Sequence, residues 1–465
     1  MLFFRHLDRR TTAPPGVVRR ASHAVGVACL ALALVTVGAR AQLPTGRPSP
    51  APPADTTPSV RLDSLLDLET VIRRAQAVSP AVIQGQQGVR TAESERRVAR
   101  AAVLPTITAN SSVLETNVLT APGALAGGLP QSYAAGLAAS VDVFTGGRIG
   151  AERARAVAGV GAARATDVSQ RFAATLLAQR AFFETLRGSD LVEVARARVA
   201  QGERGLRYAR DRERAGTATR SDALRAQLEL TTGQQQLVAA LDTLQAAAYA
   251  LGRLVGADGP VGGRRPDSLD PRPLALDDSA VVRLAVDASP GVTASEANVQ
   301  ATQAGIRVAR AQYLPDLRVT GGYNLANQSV VFGAVRPGWV LGLGASLPLF
   351  NGFQREDAVT RAAAGAEVAR AAAVDTRRQA RAEAARLLSA LRFAVQNIAL
   401  AGTAVQAAQE DLRVQTERYR AGISTTLDQL TSELALTQAR LGLVAARYRY
   451  QVTRAQLEAL VGRTL

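Results

Sequence analysis

Thiol, imidazole and ammonium groups are nearly missing from this chain of 465 residues. It has one cysteine, Cys29, two histidines, His6 and His23, and no lysine, so every basic side chain is arginine. Aromatics make up 4% of a chain that is 47% hydrophobic. With Ala, Leu, Arg and Gln abundant, the balance favours long helices over a sandwich or an α/β enzyme. The scarce groups also sit together at the N-terminus. Residues 1–23 carry Arg5, Arg9, Arg10, Arg19 and Arg20; an apolar run follows from Ala24 to Val37, then Ala39-Arg40-Ala41. That is the layout of a secretory signal peptide, with cleavage near Ala41. The run is shorter than the ~20 residues of a spanning helix. Cleavage removes Cys29, His6 and His23, which excludes disulfides, thiol chemistry and Cys/His metal sites from the mature chain. A lipoprotein box is the competing use of Cys29, but Gly26 stands where such a box takes an aliphatic residue.

A net charge of +16 raises the question of nucleic acid. The arginines are spread along the chain among Glu and Asp, as on solvated helix faces, so no nucleic-acid partner is expected. There is no Gly-rich phosphate loop, no Gly-x-Ser-x-Gly and no metal-ligand cluster. The expectation is a protein that is not an enzyme and takes no cofactor.

Proline is absent from four long stretches: 147–215, 217–256, 353–421 and 423–462. These fall in pairs, because the chain is a tandem repeat. Arg214-Ala-Gly-Thr-Ala-Thr-Arg-Ser-Asp222 and Arg420-Ala-Gly-Ile-Ser-Thr-Thr-Leu-Asp428 lie 206 positions apart. Ser79-Pro80, Arg97-Val-Ala-Arg-Ala101 and Leu104-Pro105 recur at Ser289-Pro290, Arg307-Val-Ala-Arg-Ala311 and Leu314-Pro315. The organisation read from this is a signal peptide (1–41), a Pro-rich leader (42–60), a first repeat (61–256), a linker (257–276) and a second repeat (277–465). Gly216 and Gly422 break otherwise helical runs and predict helix–turn–helix tips. Asp222 and Asp428 fall in the first turn of each returning helix, where a negative charge suits the helix dipole. A short helix is expected over 61–77, and Ser79-Pro80 and Ser289-Pro290 open helices that run to Leu104 and Leu314.

Beyond each Leu-Pro the period changes from 3.6 to 2. Leu317, Val319, Gly321, Tyr323 and Leu325 alternate with Arg318, Thr320, Gly322 and Asn324. Trp339, Leu341, Leu343, Ala345, Leu347 and Leu349 alternate with Gly342, Gly344 and Ser346. Strands of about ten residues suit a tilted bilayer crossing. The expected hairpins span 106–144 and 316–350, with loops at 116–132 and 326–338. The candidate lipid-facing residues are Leu317, Val319, Tyr323, Trp339, Leu341, Leu343 and Leu347. Soluble hairpins with one buried face are the alternative. The 69-residue runs would make helices ~100 Å long. The returning helix and the Ser-Pro helix, laid end to end, match one such length. In the last helix Leu427, Leu430, Leu434, Thr437, Leu441, Val444 and Tyr448 alternate spacings of 3 and 4, as a coiled-coil seam does. Four strands cannot close a barrel, and open edges cannot sit in lipid. Two chains would give eight strands around a filled interior; three would give twelve around a lumen.

These features resemble the TolC-like outer-membrane efflux protein family over residues 60–465. The carriers are the duplicated Leu-Pro, Phe144-Thr-Gly-Gly147, Leu349-Phe-Asn-Gly352, Tyr419-Arg-Ala-Gly422 through Asp428, Ala446-Arg-Tyr-Arg-Tyr450 and Leu460-Val-Gly462. The resemblance implies a mainly α fold with a β-barrel part: a homotrimer with a twelve-stranded outer-membrane barrel and a periplasmic α-helical tunnel. It implies an exit duct for efflux or type I secretion, joined to a periplasmic adaptor (membrane-fusion) protein and an inner-membrane pump of RND, ABC or MFS type. By position, Gly216, Thr217, Gly422 and Ile423 become adaptor-contacting tips. Asp222, Asp428, Tyr419 and Arg220 become gate and entrance residues. Ser424 departs from the family pattern, since the best-known member has a gate arginine there; Arg220, read as the equivalent tip position of the first repeat, is the candidate substitute. The rival from another class is a secreted periplasmic coiled-coil scaffold without channel activity.

Overall fold

The computed structural model describes residues 64–115, 131–327 and 335–465, all belonging to one unit, Ser59–Leu465. The signal segment, the leader, Cys29 and the tips of both β-hairpins lie outside the described residues. In chain order the elements are β1 (Leu65–Leu66), α1 (Leu68–Val78), α2 (Pro80–Ala101), β2 (Thr106–Glu115), β3 (Gln131–Thr145), α3 (Arg148–Arg214) and α4 (Arg220–Val255). Then come β4 (Gly262–Gly263), α5 (Asp278–Asp287), α6 (Pro290–Ala311), β5 (Asp316–Asn327), β6 (Val335–Ser346), α7 (Gln354–Arg420) and α8 (Thr426–Val461).

The two 67-residue helices, α3 and α7, set the long axis, each ~100 Å at 1.5 Å per residue. α3 packs against α2 and α4 on one side and α6 and α8 on the other, and α7 packs against α6 and α8. Short helices lie end to end along the long ones. A Cβ at Gly256, the cap of α4, would stand 2.9 Å from Val78, and one at Gly462, the cap of α8, 2.9 Å from Pro290. Small residues permit close approach: a Cβ on Gly188 or Gly202 of α3 would come within 3.1 or 3.2 Å of the Leu244 or Leu230 backbone in α4.

Two expectations are corrected. The helix expected over 61–77 begins only at Leu68, because Asp67 caps it by accepting from the Thr70 amide at 3.3 Å. Ahead of it, Leu65-Leu66 pairs in parallel with Gly262-Gly263. The 257–276 linker is therefore tied to the body, with Val261 and Leu269 buried. In α8 the expected seam is only partly covered in the single chain: Tyr448 is buried and Leu430, Thr437 and Val444 are half-buried, whereas Leu427, Leu434 and Leu441 are exposed and Thr426, Ser432, Glu433 and Leu436 are buried beside them.

Two cores sit at mid-height. One joins Val71, Phe182, Phe183, Leu186, Leu251, Val261 and Tyr448; the other joins Val281, Leu387, Leu391, Tyr450, Leu457 and Val461. Tyr448 and Tyr450 are two residues apart on α8 and so point to opposite sides, one into each core. The Tyr448 hydroxyl donates to Asp190 Oδ2 at 2.9 Å, and Arg265 of the linker donates to the same oxygen at 3.1 Å. Burial, with Asp190 beside it, pushes the Tyr448 phenol above its ordinary value. The Tyr450 hydroxyl donates to the Arg272 carbonyl (2.8 Å) and accepts from the Arg272 amide (3.0 Å). One tyrosine thus fastens α8 to the first repeat and the other fastens the linker.

The four long strands form one antiparallel sheet in the order β2-β3-β5-β6. The outer edges of β2 and β6 have no strand partner among the described residues.

Candidate functional site

At the far end from the sheet each long helix ends in the same turn. The Gly216 and Thr217 amides donate to the Glu213 and Arg212 carbonyls at 3.0 and 2.9 Å. Gly422 and Ile423 repeat this on Tyr419 and Arg418 at 3.1 and 2.9 Å. These are Schellman closures, and they need left-handed backbone at φ +74° and +76°, which glycine adopts freely. Gly216, Thr217, Gly422 and Ile423 are all exposed there.

The chain then restarts with a capping box at each tip. Thr219 and Asp222, and likewise Thr425 and Asp428, exchange side-chain and backbone hydrogen bonds. Asp222 Oδ2 accepts from the Thr219 amide and hydroxyl at 3.0 and 2.7 Å; Asp428 Oδ2 does so from Thr425 at 2.9 and 2.7 Å. The Thr219 side chain, then its backbone, holds the Asp222 carboxyl below the ordinary range, with smaller contributions from Thr426 and Arg225. The Thr425 backbone, then its side chain, does the same for Asp428, aided by Arg418. Each carboxylate therefore serves its own helix start and remains charged at neutral pH.

Tyr419 is 3% exposed and joins the two tips. Its hydroxyl lies 3.1 Å from Thr426 Oγ1, and Tyr208 of α3 meets its ring edge-on at 5.3 Å. Arg212, also on α3, places its guanidinium 4.7 Å from the ring centroid and donates to the Tyr419 carbonyl at 3.2 Å. It donates as well to the Thr217 carbonyl at 3.1 Å. Above this lies a groove of about 400 Å³ between α3, α7 and α8, lined by Gln201, Arg204, Arg413, Arg420, Glu433 and Arg440 among others. Glu433 is buried there, and burial pushes its carboxyl above the ordinary value although Gln429 donates to it at 3.1 Å.

Among the gate candidates, Tyr419 bonds Thr426, whose side chain also helps to hold the Asp222 carboxyl low, whereas Asp428 is exposed. Arg220 is exposed at the first position of α4. By the 206-residue offset its counterpart is Thr426, and Ser424 corresponds to Ala218, so Arg220 does not occupy the position equivalent to Ser424. Ser424 Oγ donates to the Gln415 carbonyl at 3.4 Å. Tyr208, Arg212, Thr426 and Glu433 were not singled out in the sequence. Their significance comes from partners in the other repeat, and no local pattern carries that.

At the sheet end, register decides the faces. Val319, Gly321 and Tyr323 pair with Val141, Ala139 and Leu137 on one side and with Leu343, Leu341 and Trp339 on the other. Ala139 and Leu137 pair in turn with Ile107 and Ala109. One face of all four strands is therefore apolar apart from Ser111 on β2. The opposite face carries Thr106, Thr108 and Asn110, Ser140 and Asp142, and Arg318, Thr320 and Asn324, with Ala134, Ala138 and Val340 among its apolar members. Arg318 Nε donates to Asp142 Oδ1 at 2.6 Å on that polar face. The apolar face is uncovered: Trp339, Leu341 and Leu343 are 80%, 70% and 75% exposed. Leu317 and Val319 are half-buried at its lower end, and Tyr323 is exposed higher up. Leu347 lies one residue beyond β6 and is not a strand residue; Pro348 follows it and has no amide to extend the ladder. The strands also run past the expected loop bounds, β5 to Asn327 and β6 from Val335. Pro337 is tolerated because β6 is an edge strand.

A one-sided β-sheet joined to a ~100 Å helical shaft with paired tips is a fold shared with solved membrane proteins. VceC from Vibrio cholerae aligns with a TM-score of 0.71 at 21% identity, covering 85% of this chain and 96% of that one. A membrane protein from Pseudomonas aeruginosa aligns with a TM-score of 0.74 at 21% identity, covering 88% and 98%. The family model described as outer membrane efflux protein matches residues 71–257 and 281–463. The chain belongs to the outer membrane efflux protein family and is an outer-membrane protein. Among curated relatives, the fusaric acid resistance protein FusA of Burkholderia cepacia is 30% identical over 67% of this chain, which spans 61% of that relative's length.

Proposed function

We propose that this protein is the exit duct of a tripartite efflux or type I secretion system. Three copies share a twelve-stranded barrel in the outer membrane, continued by a helical tunnel across the periplasm. Substrates pass through passively, handed on by an inner-membrane pump through a periplasmic adaptor. The observation that carries this reading is the sheet: one continuous apolar face, exposed, with both edges unpaired among the described residues. In water such a face would forfeit about 2 kcal/mol for each large side chain, and open edges would invite aggregation. In lipid the face is solvated, and β6 of one chain can pair with β2 of the next to close the barrel.

The helices support the same assembly. α2 and α4 form one flank and α7 the other; Leu224, Leu228 and Val238 are exposed on α4, and Val368, Phe393 and Leu400 on α7. α7 even holds a stretch apolar enough for a membrane span that is only 17% buried. Packing α7 on the next copy's α2 and α4 repeats head to tail and closes as a ring. The same reading gives roles to the candidates. Leu317, Val319, Tyr323, Trp339, Leu341 and Leu343 face lipid. Gly216, Thr217, Gly422 and Ile423 meet the adaptor. Tyr419 and Asp222 belong to a gate, and three copies of Asp428 make an anionic entrance ring. FusA is described as a resistance protein, and another relative, AprF of Pseudomonas aeruginosa, as an alkaline protease secretion protein, so both cargo classes have precedents among relatives.

The test is the mass and conductance of the protein extracted from outer membranes in mild detergent. A three-chain particle that forms channels in planar bilayers is expected. A soluble monomer or dimer without conductance would leave the periplasmic scaffold instead.

A further inference from the structure

Arg212 has an environment that ordinary helix capping does not require. Its guanidinium spans the ends of both long helices. One nitrogen reaches the Thr217 carbonyl in its own turn, and another reaches the Tyr419 carbonyl at the end of α7, 207 residues away. The last carbonyls of a helix lack partners within it, and the negative end of the dipole attracts a cation. Arg212 stands in the last turn of α3 and reaches a last-turn carbonyl of α7, so its charge lies near both such ends, while its bond to the Thr217 carbonyl closes the turn beyond α3. Its plane also covers the Tyr419 ring at 4.7 Å, a cation–π contact strengthened by the burial of that ring. One turn earlier on the same face, Tyr208 meets Tyr419 edge-on and its hydroxyl reaches the Arg420 carbonyl at 3.5 Å. Its repeat counterpart, Arg418, is an exposed side chain whose charge acts on Asp428. Among the described residues the arginine bridge is thus made by Arg212 of the first repeat and not by its counterpart Arg418.

We propose that Arg212 is the latch that holds the two helical tips of each protomer together and so keeps the periplasmic mouth closed. The inference rests on the duct reading above. Spreading the tips would strip the Tyr419 and Arg420 carbonyls of their cross-tip donors and uncover the Tyr419 ring. Arg212 therefore positions Tyr419 and fills a role for which Ser424 has no cation and Arg220 has no reach. Arg220 sits at a helix N-terminus, where the dipole disfavours its charge.

The test uses purified full-length trimers in planar bilayers: wild type, Arg212→Ala, Arg212→Lys and Arg220→Ala, each checked for native mass and melting. Arg212→Ala should raise the open fraction about tenfold, the ratio that ~1.4 kcal/mol supplies, with mass and melting unchanged. Arg212→Lys should fall between, since a point charge keeps the attraction but loses the fork. Arg220→Ala should match wild type. An Arg212→Ala channel gated like wild type, or an equal effect from Arg220→Ala, overturns the latch while the duct stands. A wild-type protein that forms no channel sinks the duct reading and the latch with it. If Arg212→Ala does not assemble, Arg212→Lys decides: an open fraction unchanged from wild type refutes the proposal, and a rise of about threefold or more supports it.

Discussion

Replacing Leu341 with arginine places a charge at the middle of the apolar face. Leu341 is the seventh of the twelve residues of β6, pairs with Gly321, and is 70% exposed in the protomer. On the lipid face of a barrel, arginine near the bilayer midplane costs about 2–4 kcal/mol. With the three copies per barrel of the proposed assembly the sum is ~6–12 kcal/mol, comparable to the whole stability of a typical domain. Thr320, one residue from Gly321 on β5 but on the opposite face, pairs with Ser140 and Gly342. Arginine there enters the polar side beside Arg318 and Asp142 and should be tolerated. The assay is the fraction of detergent-extracted protein that runs as assembled trimer, followed through a urea titration. Leu341→Arg should abolish or sharply reduce that fraction, and Thr320→Arg should leave it near wild type. If Thr320→Arg is the damaging change, the faces are inverted. If neither matters, the sheet is not in lipid and the reasoning fails.

At the tip, Gly422→Val forces a β-branched residue to φ +76°, a strain of about 1–3 kcal/mol. No atom lies within 4 Å of the added Cβ, so trimers should persist while export in cells is lost. Asp428→Asn keeps an oxygen for the Thr425 amide but removes the charge, so block by multivalent cations in single-channel recordings should weaken at unchanged conductance. The Asp222 and Asp428 carboxyls are both held below their ordinary values, so their cap contribution is present above the unfolded pKa and lost as pH falls through the folded one. Amide exchange at Thr219 and Thr425, corrected for the intrinsic pH dependence, should therefore stay protected down to about pH 4 and rise below it. Tyr448→Phe removes the phenol donor from buried Asp190 and should destabilise the mid-height core by about 1–3 kcal/mol, read as a lower melting temperature with unaltered conductance in the cold.

Much of this architecture depends on short-range patterning and is legible without coordinates. Two-residue alternation through Leu317–Leu325 and Trp339–Leu343 marks strands because a strand turns successive side chains to opposite faces. The Gly216 and Gly422 turns follow from the left-handed backbone that a Schellman closure demands. The duplication, visible as fixed offsets of 210 and 206, is arithmetic on the sequence and supplied the paired architecture. What alternation does not give is where a ladder stops. Leu347 continues the pattern but not the strand, and Asp67 delays a helix whose apolar spacing starts earlier.

The cross-tip site needed the fold. Arg212 and Tyr419, Tyr208 and Arg420, and Tyr448 and Asp190 are each separated by more than 200 residues, and nothing in either neighbourhood names the other. The exposed leucines of α8 show the same limit, since periodicity reports that a helix has an apolar stripe but not which neighbour covers it. The sequence by itself determined the elements, their duplication and the alternation within each strand, because these depend on spacing along the chain. The tertiary structure decided the strand register that aligns the apolar faces, the two tyrosines that fasten α8 to the first repeat and to the linker, and the arginine that bridges the tips. These depend on which distant segments come within a few ångströms of each other, and only the folded chain sets that.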